Sequence, residues 1–449
     1  MSRKIRLGAF IPTTGQHVAA WRLPESQPAR ALDFEYVKEI VQTAERGLFD
    51  AYFLADGLSV NFGASETIGV SDKVAGFEPV TLFAALSAVT KHIGFIATAS
   101  STYEEPYLLA RKFASLDHIS NGRAAWNVVT TAAESAAYNF GYEQQPTHAD
   151  RYDRAEEYVE LIQKLWDSWE DDAFLYNKDT GIFYDIDKLH HPNHKGKYYS
   201  VKGALNVPRS PQGYPVIVQA GSSEPGRELA GRYAEVIFTA HQDLASAQAF
   251  YRDVKSRLAK YGRRPEELLI LPGVSAFVGK TEAEAREKYE QVTRLIRPEA
   301  GLALLSGLTG GWDLSKYDLD GPLPELPETE TQISRRALII DIAKKNNYSI
   351  RQLYEWVAGV RGHWQLIGTV EQVADQLQEW FEHEAADGFN VLPPTTPGGL
   401  NDFVDLVVPE LQRRGLFRTE YEGKTLRENL GLARPENQYV LTKHAAKAS

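Results

Sequence analysis

Short apolar runs, each closed by small or polar residues and followed by a helix-spaced stretch, recur along this chain. The first, Ile5–Ile11, leads through a polar loop holding His17 and Trp21 to apolar positions at Phe34, Val37, Ile40, Val41 and Ala44. Asp33 stands ahead of that helix as a cap and Arg46-Gly47 closes it. Further runs predict strands over Ala51–Ala55, Ile93–Thr98, Ala124–Val129, Pro215–Gln219, Glu235–Thr239, Leu268–Phe277 and Phe389–Leu392. A polar, glycine-bearing loop follows the second. Pro79–Thr90, a stretch from Pro106, Pro225–Tyr233, a segment ending at Tyr261, a charged stretch from Thr281, Val370–Glu384 and Leu400–Arg414 predict helices. Arg46-Gly47, Asn121-Gly122, Gly231-Arg232 and Asp387-Gly388 punctuate four strand starts, Asn121-Gly122 supplying the left-handed turn that ends a helix. His148–Asp153 opens another helix, with Asp150 as its expected N-cap.

Eight strand–helix units with continuously apolar strands predict an α/β fold, a TIM (β/α)8 barrel with helices covering a parallel sheet. Two connections are oversized, about 132–214 after strand four and about 298–368 after the helix that follows strand seven. Long insertions in such a barrel are expected as lids or interface elements. The barrel is expected to occupy 1–418 as one domain, with 419–449, polar and unpatterned, as a C-terminal arm or tail.

Composition narrows the chemistry. The 449 residues are 43% hydrophobic, enough for a large core, and the net charge of −11 is spread without a basic block. That argues against nucleic acid or an anionic membrane as a partner. With no cysteine, disulfides, thiolate metal sites and cysteine nucleophiles are excluded. The start runs directly into a strand and no apolar run approaches about 18 residues. A cytoplasmic protein is expected. No Gly-x-Gly-x-x-Gly, Walker loop, His-Glu-x-x-His or Gly-x-Ser-x-Gly is present.

In a barrel the working face lies at the strand C-termini, which selects Asp56, Ser100, Thr131 and Gly221–Ser223, with His17 from the first loop. Ala220-Gly221-Ser222-Ser223 leaves a strand and enters a helix, where free N–H groups and two hydroxyls suit a phosphate, or serve as an ordinary glycine-turn cap. Tyr152 can add a phenol to that phosphate or pack in the core. Asp56 can orient a polar ring edge or cap a helix, and Ser100 and Thr131 can bond a polyol or end their strands. His17 can act as acid or base or be solvated. His190, His191 and His194 fit no ligand spacing, so no metal is expected.

Longer strings carry a resemblance. FLADG at 53–57, STYEEPYLLARKFASLDHISNGRAAWNVVT at 101–130, NFGYEQ at 139–144, HADRYDRAEEY at 148–158, HKGKYYSV at 194–201 and PRSPQGYPVIVQAGSSEPGRELA at 208–230 resemble the luciferase-like flavin monooxygenases. The similarity lies in the branch acting on nitrilotriacetate, EDTA, dibenzothiophene sulfone and long-chain alkanes, and extends through GFNVLPPTTPGGLNDFVDLVVPELQRRGLFR at 388–418. It implies FMN at the strand C-termini, with Asp56 near the isoalloxazine ring. By the same resemblance Ser100 and Thr131 contact the ring or ribityl chain, Tyr152, Gly221, Ser222 and Ser223 surround the phosphate, and His17 lies in the substrate pocket as the catalytic candidate. It further implies a two-component reaction: a separate NAD(P)H-dependent reductase supplies reduced FMN, which reacts with O2 to a flavin hydroperoxide or peroxide that oxidises a small organic compound. Trp312, Trp364 and His363 are candidates for the walls that the insertions present. The resemblance also implies a homodimer or homotetramer. Ala132-Ala133 departs from larger or polar residues of relatives and removes those positions from acid–base chemistry. Two other readings use the same barrel, a deazaflavin-dependent hydride transferase and a non-catalytic flavin-binding relative; the joint presence of Asp56, Thr131, Tyr152 and Ser223 speaks against the latter.

Overall fold

The computed structural model describes residues 3–60, 69, 70, 72, 74–328 and 333–448. Part of the loop after the second strand (61–68, 71 and 73) and 329–332 of the second insertion lie outside the described residues.

The eight expected strands are all present: β1 (Arg6–Phe10), β2 (Ala51–Leu54), β3 (Gly94–Ser100), β4 (Ala124–Val129), β5 (Val216–Gln219), β6 (Val236–Thr239), β7 (Leu269–Gly279) and, after an additional β8 (Trp364–Thr369), β9 (Gly388–Val391). Every pairing among them is parallel. The sheet runs β1 to β7 in order, β7 pairs with β9, and β9 returns to β1 with Arg6 opposite Gly388. This is a closed eight-stranded barrel. β8 stands outside the count. It was expected as part of the second insertion, but pairs Trp364–Thr369 with Val274–Gly279, the half of β7 that runs past the barrel.

Alternation along the strands sorts the core into two layers. Ala51, Phe53, Ile96, Ala125, Val216, Val218 and Leu271 form one cluster along the barrel interior. The opposite set, including Leu7, Tyr52, Phe95 and Trp126, packs with Phe83, Phe113 and Leu161 from the helical layer. The helices are α1 (Phe34–Arg46), α2 (Pro79–Ser87), α3 (Pro106–Ile119), α4 (His148–Trp166), α5 (Glu224–Tyr233), α6 (Leu244–Arg257) and α7 (Glu282–Thr293). The second insertion adds α8 (Pro298–Leu308), α9 (Ile333–Asn346) and α10 (Ile350–Val360), and α11 (Val370–Glu382) follows β8. Capping explains most starts: Asp33, Ser223, Asp243 and Thr281 each accept a first-turn N–H, while α2 and α3 begin on proline.

Two expectations need correction. The cap of α4 is Thr147, whose hydroxyl accepts the Asp150 N–H; Asp150 already lies inside the first turn. The segment after Arg418 carries no visible pattern, yet Leu426, Leu430 and Leu432 join the interior cluster and close the N-terminal end of the barrel. A Cβ at Gly94 would lie 2.6 Å from Leu426, so the plug is fitted to a bare backbone. Buried ion pairs, Arg418 with Asp50 and Arg427 with Glu235, secure it.

Candidate active site at the strand C-termini

Phe10, Phe53 and Phe238, from the ends of β1, β2 and β6, meet in mutual ring contacts with centroids 5.0–5.7 Å apart. They form an apolar floor across the mouth. Two cavities open above it. One, ≈ 290 Å³, lies toward β4–β6 and is lined by Phe238, Tyr152, Ser222, Ser223, Arg335 and His363 among others. The second, ≈ 380 Å³, lies toward β1–β2 and includes Phe10, Phe53, Asp56, Asp72 and Arg361.

The first cavity is built for an anion. Ser223 ends the turn after β5 as the cap of α5, its hydroxyl accepting the Gly226 N–H at 3.4 Å. Ser222 sits 3.5 Å from the Thr239 hydroxyl. A Cβ at Gly221 would meet Tyr152 Oη at 2.7 Å and press on Gln219 Nε2, so the phenol lies over a turn that must stay bare. Burial pushes the Tyr152 phenol up, against Ser223, Arg151 and Thr130, and keeps it a proton donor. No Asp or Glu lines this cavity among the described residues. Bare N–H groups at a helix start, two hydroxyls and a protonated phenol fit a phosphate monoester.

Ser100 and Thr131 lie together at the ends of adjacent strands. The Thr131 hydroxyl donates to Ser100 Oγ at 2.8 Å, although the two residues end adjacent strands 31 positions apart. Thr131 takes a left-handed backbone, φ 51°, and its carbonyl accepts from Gln145 Nε2 at 2.5 Å. Asp56 lies in the other cavity, exposed at the mouth. Desolvation by the surrounding walls, then Glu78 and Glu104, raise its carboxyl above the ordinary range.

His17 is fully buried and lines neither cavity. Its Nδ1 accepts the Ala19 N–H at 3.1 Å, which places the ring proton on Nε2, and its backbone N–H donates to the Pro394 carbonyl at 3.0 Å. Of the insertion residues, His363 reaches the first cavity, stacked on Phe238 at 4.8 Å. Trp364 instead stacks on Trp380 in the core, and Trp312 faces solvent. The three loop histidines are partnered separately: His190 with Glu170, His194 with Glu157, and His191 with the Ala204 N–H.

Sequence reasoning missed Arg335 and Arg361. Arg335 donates to His363 Nε2 at 2.8 Å, and Arg361 sits at the left-handed end of α10, φ 50°, before Gly362. A cationic turn between an apolar helix and a strand was the available signal.

The luciferase-like monooxygenase family profile matches residues 13–387. Nitrilotriacetate monooxygenase component A of Aminobacter aminovorans is 54% identical over 444 residues, covering 97% of this chain and 98% of that protein. The crystal structure of a long-chain alkane monooxygenase superposes with a TM-score of 0.86 at 38% identity, over 98% of this chain and 100% of the other. A riboflavin lyase solved with modified FMN and riboflavin does so with a TM-score of 0.86 at 35% identity, over 96% and 97%. The barrel, its C-terminal mouth and these relatives agree: the chain belongs to the luciferase-like monooxygenases, enzymes that act with molecular oxygen.

Proposed function

We propose that this chain is the oxygenase component of a two-component FMN-dependent monooxygenase acting on a small organic compound, with reduced FMN delivered by a separate NAD(P)H-dependent reductase. The observation that carries this reading is the bare Gly221–Ser223 turn under Tyr152, facing a cavity that no carboxylate lines among the described residues, with the Ser100–Thr131 pair at the neighbouring strand ends. One relative being a component A, and a solved neighbour holding modified FMN, support it.

In this reading the N–H groups of 221–223, the Ser222 and Ser223 hydroxyls and the Tyr152 phenol hold the phosphate. Ser100 and Thr131 bond the ribityl chain or ring edge, and Asp56 faces the ring from across the mouth. Reduced FMN, when bound, would supply the electrons for oxygen activation. The three phenylalanines keep water from beneath it. No nucleophilic side chain is required; His17, although it lines neither cavity, is the acid–base candidate of this reading.

The test mixes oxygen with anaerobically reduced FMN, with and without the chain, and follows the flavin spectrum. A protein-dependent slow phase in reoxidation is expected. Reoxidation identical to that of free flavin, with no FMN binding, would sink the reading, and titration with a deazaflavin would then examine the hydride-transfer alternative. His17→Ala in the same assay is expected to lower turnover while FMN binds as before; unchanged turnover removes His17 from the chemistry.

A further inference from the structure

Two guanidiniums, one in each cavity, act on each other electrostatically. Arg335 lines the β4–β6 cavity and Arg361 the β1–β2 cavity, and each feels burial strongly enough to be pushed below its ordinary range. Arg335 is held in place by built contacts. Its Nη2 donates to His363 Nε2 at 2.8 Å, and a Cβ at Gly362 would lie 3.0 Å from its Nη1. Gly362 (φ +82°) is fixed in turn by Gln242, which donates to its carbonyl at 2.8 Å and to that of His363.

Fixing a cation this carefully usually serves an ion pair, yet among the described residues no carboxylate pairs with either guanidinium. Arg335 Nη1 and Arg361 Nε are shielded from solvent with no hydrogen-bond partner among them. Asp72 attracts Arg361, whereas burial first and then the like charge of Arg361 lower Arg335 to about 10. Burying like charges together without an anion is costly, and a bidentate anion removes that cost. His363 cannot compensate: burial and the two arginines hold its imidazole well below the ordinary range, so it stays neutral and accepts from Arg335.

The flavin phosphate is one possible anion, but its cradle is the Gly221–Ser223 turn after β5. A group held there leaves Arg361, in the other cavity, unanswered. We infer that Arg335 and Arg361 are specificity-determining residues that receive a carboxylate of the organic substrate, so that the compound oxidised is a carboxylate-bearing anion. This rests on the flavin reading of the Ser222–Ser223 end.

The experiment uses the full chain and three probes, succinate, iminodiacetate and tricarballylate, with the trimethyl ester of tricarballylate as the uncharged match. Binding is measured by calorimetry with and without saturating FMN, and FMN and riboflavin affinities are measured separately. At least one carboxylate is expected to bind, with the ester at least tenfold weaker. Arg335→Gln and Arg361→Gln are each expected to weaken that carboxylate at least tenfold, Arg335→Lys to weaken it less, and FMN affinity to stay within twofold. Thermal melts of each variant establish that it is folded, and Arg335→Lys keeps the test open if a glutamine variant is not. Failure of all three carboxylates to bind, or equal binding of acid and ester, overturns the inference. So does an Arg335→Gln variant that loses FMN but not riboflavin affinity, since the guanidinium would then serve the phosphate. Carboxylate binding without FMN separates this outcome from failure of the flavin reading.

Discussion

His241 shows how a single buried ring ties stability to pH. It follows β6, its Nε2 3.1 Å from the Thr239 hydroxyl and its ring against Phe250. Burial, then the charge of Arg335, outweigh the pull of Asp243 and lower its pKa to about 4. In the unfolded chain the same ring protonates near its ordinary value of about 6.5. Between those values the unfolded state binds the proton that the native state refuses, so stability falls as pH falls, and the penalty is complete near the lower value. A shift of that size corresponds to about 3 kcal/mol. His241→Gln is expected to remove this contribution: the variant melts closer to, or above, the parent as pH is lowered from 7.5 to 4.5. Melting temperatures that run parallel over that range would show that the ring is not held neutral.

The clearest element-scale test is the C-terminal plug. Leu426 is fully buried at the N-terminal end of the barrel, in the interior cluster that includes Ala51, Ile96 and Val216. Truncation leaves a cavity that the sheet cannot close, because neighbouring strands are fixed by their ladders. Leu426→Ala is expected to cost about 2–5 kcal/mol, read as a lower denaturant midpoint, while Leu441→Ala, at an exposed position of the last helix, Gln438–Ala448, leaves it unchanged. Equal midpoints for parent and Leu426→Ala would show that the plug does not stabilise the barrel. The sequence made this element hard to see, since Leu426–Leu430 is only five residues long and shows no periodicity to read. The barrel strands were legible for the opposite reason. Parallel strands covered on both faces are short apolar runs, and Ala124–Val129 stands where its composition puts it. β8 was not: Gln365 interrupts its apolar run, and it pairs only with the overhanging half of β7. At the site, strand ends and the Gly221–Ser223 turn announce themselves locally. Arg335 and Arg361 acquire meaning only when the second insertion folds over the mouth and brings their charges together.

Taken as a whole, the molecule divides the labour of an oxygenase by its topology. Dinucleotides bind open α/β sheets at a switch point, where strand order reverses and a crevice opens between neighbouring helices. A closed barrel has no such point: β1 through β7 follow in sequence order and β9 completes the circle. The mouth instead offers an anion cradle on one side and a mixed-charge cavity on the other, with the insertion's arginines between them. In the proposed reading, electrons from a nicotinamide arrive on reduced FMN, a carrier small enough to enter that mouth. The chain mixed with NADH, FMN and oxygen is expected to consume no NADH above the background of free flavin. Adding a flavin reductase of unrelated sequence is expected to start substrate oxidation, and photoreduced FMN to do the same without any reductase. If a dialysis membrane that passes flavin but not protein separates the two enzymes, turnover should continue at a rate set by flavin diffusion. NADH consumption by the chain alone would place a hydride site on the barrel itself. Turnover that stops when the membrane is present, with free reduced FMN still crossing it, would require a contact between the two proteins.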